Sequence, residues 1–126
     1  MANSPNEPPG EYVDVTTDGG VITARICNPN VEEHEALIIL DRLRSAMEQT
    51  GSDLKAVVLD LGDVAFINSS GLAACIKVRN SAAAQGARTI LYRPKDDISN
   101  LFRMVKVDSL YAFANDAREL QELVSQ

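Results

Sequence analysis

Residues 56–72 read Ala56-Val57-Val58-Leu59-Asp60-Leu61-Gly62-Asp63-Val64-Ala65-Phe66-Ile67-Asn68-Ser69-Ser70-Gly71-Leu72, and this stretch decides the fold. Its first four residues are apolar without alternation, the pattern of a central strand covered on both faces by helices. A polar turn follows, and then a second short apolar run from Val64 to Ile67. Asn68-Ser69-Ser70-Gly71 opens a helix that should continue to about Gln85 and stop at Gly86.

Upstream, Tyr12-Val13-Asp14-Val15-Thr16 and Val21-Ile22-Thr23-Ala24-Arg25-Ile26 alternate apolar and polar residues across Asp18-Gly19-Gly20. Glycine supplies the positive φ of a tight turn, so the two runs read as an antiparallel hairpin. Asn28-Pro29-Asn30 breaks the second strand. Asn30 and Glu33 have the spacing of a capping box. The helix they open carries Ala36, Leu40, Leu43 and Met47 on one stripe and ends at Gly51.

Downstream, Arg88 to Tyr92 is a strand closed by Pro94, and Ile98, Leu101, Phe102 and Val105 mark a third amphipathic helix. Leu110 to Phe113 reads as a short strand, and Asn115 as the cap of a last helix burying Ala117, Leu120 and Val124. The order β-β-α-β-α-β-α-β-α implies right-handed crossovers and an α/β fold. Its sheet should be mixed but mainly parallel, with an antiparallel edge strand from the N-terminal hairpin and about four flanking helices.

With 126 residues, 45% of them apolar, the chain has material for one domain with a core. Residues 1–11 hold three prolines and little apolar surface and read as a flexible tail, leaving residues 12–126 as the domain. Twelve Lys and Arg against 18 Asp and Glu give a net charge of −6, with three Tyr, three Phe and no Trp. Such a chain lacks both the phosphate-neutralising charge and the stacking rings of a nucleic-acid binder. No apolar run approaches the length of a membrane span, and the N-terminus has no secretion-signal pattern. Cys27 and Cys75 read as reduced core residues and, with one histidine, are too few for a structural zinc site. A cytoplasmic protein without cofactor is the expectation, and the sequence carries no mark of oligomeric state.

Chemistry in open α/β sheets collects where strand C-termini meet helix N-termini, which present unpaired amides. The Asn68–Gly71 junction is the candidate here. A serine hydroxyl in the first turn is exposed, and a phosphate there would meet free N–H groups and the positive end of the helix dipole. Capping alone also accounts for Ser and Asn at a helix start.

The wider stretch, with its apolar strand, polar turn, Phe66 before the junction and Ser69-Ser70-Gly71-Leu72 helix start, resembles the central signature of STAS domains, the family of bacterial anti-sigma-factor antagonists. In element order the resemblance extends from about Val13 to Leu123. It implies a non-enzymatic regulator whose partner is a serine kinase doubling as an anti-sigma factor, switched by phosphorylation of the serine at the helix start. By position the acceptor is Ser69, and the partner-facing residues are Asn28, Asn30, Asn68, Ser69, Ser70, Gly71 and Leu72. Two departures fall on that surface. Asn68 stands where the family usually has Asp, and Cys27 to Glu32 lacks the Gly-Glu-Leu-Asp-like stretch of sigma-regulating members.

A second reading is a non-switching STAS scaffold or sensor that takes a small anion or nucleotide at the same helix start, since Asn68 removes an acid from it. A hydrolase would need Ser69 to meet His34, which lies at the start of the first helix. No Gly-x-Ser-x-Gly elbow, phosphate loop or Cys-x-x-Cys is present. Lys77, Arg79 and Asn80 read equally as partner contacts or a solvated face, and Phe102 and Met104 as core or core edge.

Overall fold

The computed structural model describes residues 12–126; the tail expected over residues 1–11 lies outside the described residues. Strands β1 (Val13–Asp18) and β2 (Val21–Ile26) pair antiparallel, as their alternation predicts. Gly19 and Gly20 close the turn at φ 60° and 84°, in the left-handed region that favours glycine. A two-residue strand, β3 (Asn30–Val31), precedes helix α1 (Glu33–Thr50). Then follow β4 (Ala56–Asp60), the equally short β5 (Phe66–Ile67) and helix α2 (Ser69–Ala84). Strand β6 (Arg88–Tyr92), α3 (Asp96–Met104), β7 (Ala112–Ala114) and α4 (Ala117–Val124) complete the chain.

The main sheet runs β1-β2-β4-β6-β7, parallel except for the β1–β2 hairpin at its edge. This is the mixed, mainly parallel sheet with four helices that the element order implies. One face packs against α1, α2 and α3, burying Val13, Ile22, Leu43, Val57, Leu59, Leu91 and Phe102 in a single core. The other face is covered by the short α4, whose Leu120, Leu123 and Val124 rest half-buried on Ala56, Val58, Ile90 and Ala114. Strand β4 is therefore buried along its whole length, which is why it shows no polar alternation.

Local details differ where backbone pairing overrides side-chain propensity. Asn30 does not cap α1, because its backbone is engaged beside Phe66 in β3. The cap is Glu32, in extended conformation, and its N–H donates to Glu35 Oε1 at 2.9 Å. The Val64–Ile67 run narrows to β5, and the expected strand at Leu110 to Phe113 begins two residues later because a 3-10 turn takes Asp108–Leu110. Asp116, not Asn115, caps α4, its Oδ1 accepting from Glu119 N–H at 2.8 Å. A charged acceptor gains more from the helix dipole than a neutral one. Ala117 is exposed, and Met104 stands 77% exposed, away from the core edge where it was expected.

Two features fix where α2 begins. Asp60, 7% exposed at the end of β4, accepts from Arg93 Nη2 at 3.1 Å and from the Gly62 N–H at 3.0 Å, pinning the turn that leads toward β5. Lys95 Nζ donates to the Gly62 carbonyl from the same side. Gly71, one turn into α2, is buried so closely that a Cβ there would lie 2.5 Å from the Val31 carbonyl oxygen and 2.8 Å from Ile67 Cγ2. Adding a methyl gains about 1 kcal/mol of helix propensity. Overpacking against a backbone atom costs about 1–3 kcal/mol and should win. Gly71→Ala is therefore expected to lower the urea midpoint, and an unchanged or raised midpoint would show that the approach is looser than described.

Alkaline stability gives a second check. Cys75 shares the apolar lining beneath α2 with Ile26, Val31 and Ile67. Desolvation there pushes its thiol from 9.0 up to about 12. Tyr111, stacked edge-on against Phe102 at 5.2 Å, is raised above its ordinary 10.0 by burial and by the Cys75 thiol, with Arg79 opposing. Both groups stay protonated in the fold while the unfolded chain releases protons, so stability is full below pH 9.0 and falls as pH rises toward the native values. Cys75→Ala should flatten part of that fall in urea titrations repeated across pH; an identical slope would remove Cys75 from the explanation.

Candidate partner-binding site

The loop after β2 and the loop after β4 lie side by side because their parent strands are parallel neighbours in the sheet. A second, two-stranded parallel sheet joins them, with Asn30 beside Phe66 and Val31 beside Ile67. The Ala65 and Phe66 N–H groups donate to the Pro29 carbonyl at 2.8 and 3.0 Å, and the Asn68 N–H to Val31 at 3.2 Å. Within the first loop, Asn28 Nδ2 donates to the Asn30 carbonyl at 2.6 Å. Residues 36 positions apart in sequence, Asn30 with Phe66 and Val31 with Ile67, thus form one surface at the carboxyl ends of the strands.

Asn68 leaves β5 in extended conformation and caps α2, its Oδ1 accepting from the Gly71 N–H at 3.0 Å. The Leu72 N–H returns to the Asn68 carbonyl at 2.9 Å. Ser69 is the first residue of the helix and is exposed, while Ser70 is half-buried. Their amides stand in the first turn, where the helix itself supplies no acceptor.

The seven residues expected to face a partner divide into two groups. Asn30 and Ser69 are exposed, and Asn28, Asn68 and Ser70 are half-buried beside them. Gly71, expected to face a partner, is buried, and its bare Cα faces Val31 and Ile67, so it serves the packing of α2. Leu72, half-buried, packs against the core. His34 is exposed on α1, and its ring meets Tyr12 edge-on at 5.5 Å.

One further residue belongs to this surface. Phe66 is 49% exposed, two residues from the Asn68 cap. Period-two alternation would have placed it, since Ile67 beside it is buried at 4%. Acidic groups stand nearby: Glu32 and Glu33 follow Val31, and Asp63 is exposed with Arg25 Nη1 at 3.1 Å. Arg25 also meets Asp14 at 2.9 Å, tying β1, β2 and the β4–β5 loop together. Among the described residues no cluster of three or more His, Cys, Asp or Glu side chains is placed to hold a metal ion. No helix among them is long and apolar enough to cross a membrane.

Solved structures share this architecture at low identity. An anti-sigma-factor antagonist (STAS) domain protein from Planctomyces limnophilus matches with a TM-score of 0.77 and 15% identity, over 90% of this chain and 98% of that chain. The Bacillus cell-fate determinant SpoIIAA in its phosphorylated form matches at 0.69 and 15%, over 88% and 98%. The murine Solute Carrier 26 family member A9 anion transporter matches at 0.73 and 16%, over 87% of this chain and 18% of the transporter. These likenesses establish the fold. The STAS domain family model matches residues 12–120, and the chain belongs to that family.

Proposed function

We propose that this domain is a protein-binding switch of the anti-sigma-factor-antagonist kind, in which a serine kinase serving as anti-sigma factor docks at the α2 start and phosphorylates Ser69. The observation that carries the reading is the exposed Ser69 at the first position of α2, flanked by two loops that backbone pairing holds together. Ser70 is a poorer acceptor because it is half-buried. SpoIIAA, a fold neighbour, is known in phosphorylated and unphosphorylated forms, which supports a phosphorylation switch on this scaffold.

The electrostatics give the switch its direction. The unmodified surface offers neutral Asn68 and Ser69, with Phe66 as an aromatic anchor of the type that dominates interface energetics. Phosphorylation adds about −1.5 to −2 charge at the centre of that contact. A partner shaped for a neutral hydroxyl must then desolvate a dianion or face it with its own acids, and binding is lost. In this reading the chain catalyses nothing; it is substrate and ligand of its partner.

An anion-sensor reading is less favoured by the same geometry. The Asn68 side chain already accepts from Gly71, leaving only the Ser69 and Ser70 amides at the first turn for an incoming anion.

Incubation with ATP and the serine-kinase fraction of the native organism should place a single phosphate on Ser69, read by peptide mass spectrometry. Ser69→Ala should take none, and Ser69→Asp should weaken kinase capture by roughly 2 kcal/mol or more. Phosphate gained at another residue in Ser69→Ala, to the same extent as wild type, would dispose of the reading.

A further inference from the structure

Four large apolar side chains stand exposed among the described residues: Leu37, Phe66, Met104 and Val105. Phe66 belongs to the site above. The other three form two patches of opposite charge. Leu37, 65% exposed on α1, lies one turn from Glu33 and one turn from Asp41, both exposed. Arg44 and Glu48 continue that stripe and offset one another. At the end of α3, Arg103, Met104, Val105 and Lys106 are four consecutive exposed residues. Among the described residues Arg103 Nη1 donates to a neutral group, Asn100 Oδ1, at 3.0 Å, and the sequence holds no acid between Asp97 and Asp108.

The two patches sit on opposite flanks of the helical layer. Helix α1 packs over β1 and β2, at one edge of the sheet. Helix α3 is joined through Phe102 to Tyr111, which leads into β7 at the other edge. One molecule therefore cannot close its two patches on each other.

We propose that these patches are the two halves of one contact between copies of this chain, with Leu37 between Glu33 and Asp41 seated against Met104 and Val105 between Arg103 and Lys106. The net charge of −6 makes copies repel in general, and the basic corner of α3 is where an acidic helix face can land. The contact is heterologous, head to tail, so association builds rings or open chains.

Sedimentation velocity from micromolar up to about 1 mM tests this. The weight-average mass of wild type should rise with concentration. Leu37→Lys, which sets a cation against Arg103 and Lys106, should stay monomeric, and so should Met104→Glu, which sets an acid against Glu33 and Asp41. Both positions are exposed, so neither change disturbs the core. Mixed one to one, the two variants retain one intact patch each and should associate. Wild type that remains monomeric to about 1 mM would overturn the proposal. So would variants that associate like wild type, or a mixture that stays monomeric while wild type associates.

Discussion

Parallel backbone pairing between residues 29–31 and residues 65–68 is the constraint on which the site depends. The main sheet places the ends of β2 and β4 side by side, but neighbouring strand ends alone would leave two independent loops. Three N–H groups donated across the gap, to Pro29 and Val31, convert them into one surface. The absent side chain at Gly71 then lets α2 start against the Val31 carbonyl. Without that close approach the first turn would stand off from β3, and Ser69 would be displaced from Asn30 and Phe66. Geometry at the site is thus set by main-chain atoms, and the side chains around it are free of that task.

That division of labour explains how Asn68 can replace an acid without loss of the helix start. A cap requires one acceptor oxygen, and the Asn68 amide supplies it to Gly71. What changes is the charge beside Ser69, because an amide carries none. Negative charge near the site comes instead from Glu32 and Glu33, the chain neighbours of Val31, and from Asp63, which is engaged by Arg25. The turn before β5 is held separately, by Asp60 reaching Arg93 and Gly62. Arg93 adopts φ 56°, an unusual conformation for a non-glycine residue, which places its guanidinium across the Gly62 turn.

Much of the fold was legible because its signals are local and periodic. The alternation of β1 and β2, the unbroken apolar run of β4 and the stripe Ala36-Leu40-Leu43-Met47 each name their own element and its buried face. Two-residue strands carry no periodicity, so β3 and β5 were invisible as a pair, and Asn30 was read as a cap when its backbone was engaged in pairing. Of the candidate site, Ser69 and Asn68 stand where the strand-to-helix junction puts them. Gly71 could not be assigned from sequence, since a glycine that leaves room for a partner and one that leaves room for its own chain look alike until the neighbouring carbonyl is seen. The exposure of Phe66 follows from the register of β5, which two residues are too few to announce.

Amide hydrogen exchange, resolved by residue, tests the pairing that unites the two loops. Ala65, Phe66 and Asn68 should exchange at least about 100-fold more slowly than an open turn amide such as Gly19, because each is held by a carbonyl across the gap. Exchange of all three at the rate of Gly19 would mean that the loops move independently and that no single surface surrounds Ser69.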